Sequence, residues 1–491
     1  MNNAQDLEVI VRSRFPLVLI ETREESRVLE LLERLAARND WPLFTWSATD
    51  ALQRRNWKHE RIPETADPEK ALRHIEASPQ NGVFVLLDFH PYLENPIHLR
   101  LIKDIAQGYA RTARTLVFVS PQIQLPDDLQ RLSARFDLTI PNPEAIQALL
   151  RDEARRWHNG NGEKVKAQRE AVEALVQHLV GLCEDDAHRL IVQAIENDGA
   201  ITTEDIPALL RAKYSLLGAG DLLQLELDTA TFSDIGGLKT LKRWLEQRKA
   251  AFTGDAVSAG LEPPKGILIL GVQGSGKSLA AKAVAGVWGL PLMRLDLGTL
   301  YNKFIGETER NLREMLKKAE AMAPCVLWID EIEKGLAPES NDEGVSRRVL
   351  GTLLTWIAER KSKVFLVATA NDISALPPEL VRKGRMDELF FVDLPDAATR
   401  RDIFTIHLQR RKLEPASFDL ERLTTLTDGF SGAEIEQAIV SALYEAHARQ
   451  QPLAAEHIAA EIERTRPLSV VMAEKVAALR AWATGRTVMA N

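Results

Sequence analysis

Short runs of aliphatic and β-branched residues alternate along the chain with longer stretches in which apolar positions recur at helical spacing. This alternation predicts an α/β fold, a mostly parallel sheet flanked by helices. Apolar runs at Val18 to Ile20, Val83 to Leu87, Ile267 to Leu270, Val326 to Ile329 and Val364 to Ala370 predict strands. Amphipathic stretches at Asp186 to Ile195, Leu279 to Val287, Arg310 to Ala319 and Glu434 to Leu443 predict helices. Every apolar run is far shorter than the roughly 18 residues of a membrane span, so none is predicted.

The landmarks come in the same order twice. Pro42 ahead of Leu43 and Phe44 is echoed by Pro291 ahead of Leu292 and Met293, and Asp88 at the end of an apolar run by Asp330. The segment Leu125 to Leu129 is echoed by Leu376 to Leu380, and Gly181-Leu182 ahead of a helix by Gly429-Phe430. Arg131 falls where Arg382 does, and Arg135-Phe136-Asp137 resembles Arg385-Met386-Asp387. The spacing between partners is nearly constant, which predicts a tandem of one long domain rather than a solenoid. Gly218 to Gly220 interrupts the pattern between the copies.

Composition narrows the class. The 491 residues are 45% hydrophobic and 27% charged, which excludes a mainly disordered or disulfide-scaffolded chain. A net charge of −8 argues against nucleic acid as a partner. Cys183 and Cys325 lack metal or redox spacing, and the first residues lack an apolar signal core, so the cytoplasm is the expected compartment.

One copy carries phosphate chemistry. Gly271-Val272-Gln273-Gly274-Ser275-Gly276-Lys277-Ser278 follows an apolar strand and opens a helix at Leu279, the context a phosphate loop requires. Glycines there let backbone N–H groups curl round a phosphate, and the helix directs its positive end at the same anion. Lys277 is placed for the β and γ phosphates of ATP and Ser278 for Mg²⁺. Asp330 and Glu331 end the run Val326 to Ile329, Asp330 to hold Mg²⁺ and Glu331 to act as general base on water. In the first copy Val18 to Ile20 runs instead into Glu21-Thr22-Arg23-Glu24-Glu25, with no glycine, and the position matching Glu331 reads as Phe89. Hydrolysis by that copy is not expected.

From Phe232 to Leu443 the chain resembles the AAA branch of P-loop ATPases, and as a whole it resembles the AAA ATPase family encoded in some algal chloroplast genomes and in cyanobacteria. That resemblance implies a nucleotide-dead N-terminal AAA-like domain joined to a live one. It implies that Asn371 is the sensor of the γ-phosphate or attacking water, and that Arg382 and Arg385 are fingers reaching a neighbouring subunit in a ring, usually of six. Family members usually carry proline between those arginines, where this chain has Lys383. Asp234, Ile235 and Gly236 resemble the adenine-contacting segment, and His407, Gly432 and Ala433 the lid residues over adenine and ribose. Leu279, directly after the phosphate loop, is expected among the nucleotide-binding residues. Phe304, Ile305 and Gly306 match the loop that AAA unfoldases place in a central pore.

The boundaries implied are a degenerate α/β domain over residues 1–145, its helical lid over 146–214, a linker at 215–230, the active α/β domain over 231–395, its lid over 396–465, and a C-terminal helix with a frayed tail over 466–491. The expected activity is Mg²⁺-dependent ATP hydrolysis by a homo-oligomer that remodels a protein client. The alternative is an ATP-driven assembly switch or scaffold with slow hydrolysis.

Overall fold

In the N-terminal unit the central strands are largely apolar runs because both faces of their sheet are covered. They are β1 (Leu17–Glu21), β2 (Leu43–Ser47), β3 (Ala51–Arg54), β4 (Gly82–Leu87), β5 (Arg114–Ser120) and β6 (Ser133–Arg135), in the order β3-β2-β4-β5-β1-β6. Leu17, Leu19, Phe84, Leu86, Leu116 and Phe118 fill one face. Val18, Ile20, Val83, Val85, Val117 and Val119 fill the other. The computed structural model describes residues 3–55, 61–218, 220, 222–254, 260–299, 308–336, 343–373, 376–382 and 384–491. It divides into two units, residues 1–145 with 182–188 and residues 146–181 with 189–491.

The second unit begins with helices and a short ladder, β7 (Lys166–Ala167) with β8 (Ala200–Ile201). Its main sheet comprises β9 (Leu223–Glu226), β10 (Gly266–Gly271), β11 (Leu292–Leu295), β12 (Cys325–Ile329), β13 (Val364–Ala370), β14 (Glu388–Val392) and β15 (Val488–Met489). The order is β15-β14-β10-β13-β12-β11-β9, parallel throughout except that β9 runs antiparallel to β11. Leaving out the edge strands β3, β9 and β15, both sheets have one strand order. The doubling read from the landmarks is therefore also a doubling of topology. A four-helix lid follows, Ala397–Arg410, Leu420–Leu426, Gly432–Ala448 and Ala455–Arg464, packed around Phe404, Leu423, Phe430, Ile439 and Ile458. Among the described residues no helix is long and apolar enough to cross a membrane.

Strand register corrects three details of the sequence alignment. Val83 N–H donates to the Pro42 carbonyl as Val326 N–H does to that of Pro291, so Val83 corresponds to Val326. Asp88, not Phe89, therefore stands where Glu331 stands, and both adopt a left-handed backbone, at φ 49° and 47°. Phe89 corresponds to buried Ile332 and packs among Trp46, Tyr92 and Phe118. Arg135 lies within β6, paired with Leu19 and ion-paired to Glu21 at 3.4 Å, so it is not the counterpart of Arg385. The stretch expected to be a linker carries edge strand β9.

The expected frayed tail is ordered. Val488 and Met489 pair with Phe390 and Phe391, and Ala490 is 1% exposed. Two apolar residues are too short a run to show strand periodicity, which is why the sequence hid them.

Candidate functional site

The phosphate loop leaves β10 at the carboxyl edge of the sheet and enters the helix Lys277–Trp288, and its conformation needs glycine. Gly274 and Gly276 adopt φ +77° and +97°, and a Cβ on Gly274 meets Ser431 Oγ at 2.9 Å. Gly271 has a different role. A Cβ there collides with the carbonyl of Val392, so this glycine serves the close approach of β14 and does not line the cavity.

That cavity measures about 400 Å³, within the roughly 300 to 1,000 Å³ usual for ligand pockets. Around it the structure gathers Asp234, Ile235, Gly236, Gly274, Ser275, Gly276, Lys277, Ser278, Leu279, Asp330, Glu331, Asn371, His407, Gly432 and Ala433. Arg382 and Arg385 do not line it; Arg382 is exposed, and Arg385 donates to the Glu379 carbonyl at 3.3 Å. Phe304, Ile305 and Gly306 lie outside the described residues.

Two strand ends set the polar geometry. Asp330 Oδ1 accepts from Thr369 Oγ1 at 2.6 Å, and Thr369 Oγ1 accepts from the Glu331 N–H at 3.1 Å. Asn371 Nδ2 donates to Glu331 Oε1 at 2.6 Å, and Glu331 Oε2 is ion-paired with Lys334. Glu333 is 6% exposed and accepts the Asn371 N–H at 2.8 Å; burial raises its pKa. Lys277 is buried, its ammonium on the carbonyls of Gly271 and Val272 at 2.9 and 2.8 Å, and burial pulls its pKa down to about 8.

The residues fit a magnesium nucleotide. Ser275 Oγ is buried in the loop without a hydrogen-bond partner among the described residues. Ser278 and Asp330, both in the lining, would supply the one or two oxygen ligands that Mg²⁺ takes from protein when phosphates and water complete its shell. At the far end, His407 Nδ1 lies 3.3 Å from Glu436, while desolvation lowers its pKa and favours the neutral ring.

Sequence reasoning quoted Gln273 in the loop without assigning it to the lining, missed Ile403, Ile406, Arg410 and Glu436 there, and missed Thr369, Glu333 and Lys334, which bond to Asp330, Asn371 and Glu331. The lid-helix positions have no local signal. Glu333 offered one: a third acid two residues past a strand-end acid pair.

The N-terminal unit lacks this arrangement. Thr22, Arg23 and Glu24 stand where Gly271 to Gly276 stand, and Pro121 corresponds to Asn371. The buried Glu24 carboxylate accepts the Glu184 N–H at 2.7 Å and the Arg27 guanidinium at 3.2 Å, so it holds the start of the helix Glu184–Glu196 and puts a carboxylate where the loop's glycines would meet phosphate.

A parallel sheet with strand order 5-1-4-3-2, a glycine loop after its first strand, acids after its third and a helical lid define a AAA-type P-loop domain. Residues 267–394 match the family described as "ATPase family associated with various cellular activities (AAA)". Residues 3–138 and 144–219 match the "SpoVK-like AAA ATPase" N-terminal and second domains. The chain is 35% identical to the AAA domain-containing protein ycf46 of Pyropia yezoensis, over 98% of each. It is 34% identical to ycf46 of Trieres chinensis, over 99% of this chain and 98% of that one. The proteasome-activating nucleotidase of Saccharolobus solfataricus is 37% identical over 45% of this chain and 58% of its own. The chain belongs to the AAA ATPase family, in the branch that includes the ycf46 proteins.

Proposed function

We propose that the chain is an Mg²⁺-dependent ATPase whose C-terminal module assembles into a ring, usually of six in this superfamily, and uses hydrolysis to remodel a protein client. The observation that carries the reading is the 2.6 Å bond from Asn371 to Glu331 beside the phosphate loop. It aims one carboxylate oxygen and one amide at the place where a terminal phosphate and its attacking water belong. Glu331 takes the water's proton on its carboxylate, Asn371 orients the water or the γ-phosphate, and Lys277 offsets charge on the β and γ oxygens. Bound Mg²⁺ supplies further neutralisation of that charge. Arg382 and Arg385, which do not line their own cavity, are the fingers offered to a neighbour. The Glu24 carboxylate and the missing glycines leave the N-terminal unit without nucleotide.

A relative named for activating a proteasome favours a protein client. The direct test is ATP hydrolysis that is lost on chelating Mg²⁺, together with mass measurement of the assembly with and without ATP. Absence of saturable adenine-nucleotide binding defeats the reading.

The ion pair between Lys334 and Glu331 favours a second reading, a slow assembly switch, because it engages the base on its solvent side. Lys334 is 67% exposed, so the pair is weakly stabilising and salt-sensitive. Lys334→Ala is therefore expected to raise kcat a few-fold without moving nucleotide affinity, as read by steady-state ATPase assay. A fall in kcat shows instead that Lys334 assists the chemistry.

A further inference from the structure

The segment facing the base end of the cavity, Asp234 to Gly236, is held by Lys242 on the Ile235 carbonyl at 2.7 Å, by Arg410 on Asp234 at 3.4 Å, and by the residues that flank it on either side. Upstream, Thr231 and Asp234 form a capping box, with the Thr231 N–H and Oγ1 on Asp234 Oδ2 at 2.7 and 2.6 Å. Downstream, Gly237 and Leu238 both take left-handed backbone, at φ +70° and +55°, which for leucine is strained. What fixes that turn comes from about 250 residues further along the chain.

Asn491 Oδ1 accepts the Leu238 N–H, and the Ala490 carbonyl accepts the N–H groups of Thr240 and Leu241 at 3.0 and 3.2 Å. These are donors in the first turn of the helix Lys239–Thr253, which lack intrahelical partners. The turn is also sterically matched to the tail, since a Cβ on Gly237 meets Asn491 Oδ1 at 2.6 Å. The tail is itself tied down, as β15 on β14 and by the Ala490 N–H on the Phe391 carbonyl at 3.0 Å. Ile235 and Gly236 line the cavity, whereas no residue from Val488 to Asn491 does.

We infer that residues Val488–Asn491 are a positioning clamp for base recognition, with Asn491 setting adenine affinity through Leu238 and the turn beside Gly236 without touching nucleotide. The inference rests on the cavity being an ATP site. The clamp acts on the base end alone, because the phosphate end is built from β10, its loop and the strand ends of β12 and β13. Loss of Asn491 orphans the Leu238 N–H and lets the strained turn relax, while the phosphate cradle keeps its shape.

The test compares ADP with inorganic tripolyphosphate, each titrated by calorimetry against the full chain and its variants. Asn491→Ala is expected to weaken ADP roughly tenfold, within the usual range of coupling between a remote position and a binding site, and to leave tripolyphosphate within twofold. Asn491→Asp keeps an acceptor oxygen at the helix start and is expected to restore ADP affinity. Asn491 is exposed, so the core is untouched, and a melting curve on each variant checks the fold. Unchanged ADP affinity in Asn491→Ala, equal weakening of both ligands, or no rescue by Asn491→Asp overturns the clamp. Failure of the parental chain to bind ADP at all counts against the ATP site instead.

Discussion

Glu331→Gln is expected to bind ATP as the parental chain does, to remain assembled with it, and to lose turnover by about 10²- to 10⁴-fold, the usual contribution of a positioned general base. Gln keeps the volume and an oxygen that can accept from Asn371 Nδ2, so the link between the two strand ends survives. It removes the ionised oxygen that faces Lys334 and the basicity needed to take a proton from water. Glu331 already sits in left-handed backbone at φ 47°, a conformation that costs of order 1 kcal/mol or more outside glycine and persists because Thr369 holds its N–H. That strain aims the side chain, and an amide inherits it. Single-turnover hydrolysis alongside a direct nucleotide titration separates the two steps. Parental turnover in this variant removes Glu331 from the mechanism.

The same left-handed conformation at Asp88 shows how far local pattern can be trusted. Both copies have an apolar run followed by an acid, and matching acid to acid shifts the alignment by one residue, because the run in β4 extends one position further than that in β12. Only the ladder bonds of Val83 and Val326 settle the register. The N-terminal copy therefore keeps a carboxylate where Glu331 stands, and what it lacks is the glycine loop. Glu24 stands at the helix start where Gly276 stands in the second copy, and Pro121 takes the place of Asn371.

The phosphate loop was readable because the requirement for φ > 0 at Gly274 and Gly276 is a property of those residues themselves. Gly271 fits the same pattern for an unrelated cause, the closeness of β14, and only the packed structure tells them apart. Thr369 and Glu333 lie two residues from Asn371 and Glu331, which were singled out, yet their roles depend on β12 lying beside β13. Ile403, Ile406, Arg410 and Glu436 belong to lid helices, where no motif or clear apolar face marks which positions turn toward a pocket. Asn491 is the extreme case, a residue on a tail too short to carry periodicity and joined to the site through a turn remote in sequence.

Lys277→Ala is expected to weaken ATP by about a hundredfold or more, since one hydrogen bond to a charged group is worth roughly 1.5 to 3 kcal/mol and the ammonium can reach two phosphates. The lysine is 7% exposed, so alanine also opens a cavity, and the loss of binding could be credited to a collapsed loop. Lys277→Met separates the causes. Methionine fills the space of the stem and carries no charge, leaving the carbonyls of Gly271 and Val272 without the ammonium they now hold. Removing a buried cation whose pKa burial has pulled to about 8 also relieves a desolvation cost. The Met variant is therefore expected to melt within a few degrees of the parental chain and still to bind ATP as weakly as the Ala variant. Parental ATP affinity in Lys277→Met would show that the loop's shape alone binds phosphate, and the charge assigned to Lys277 would have no part in holding the nucleotide.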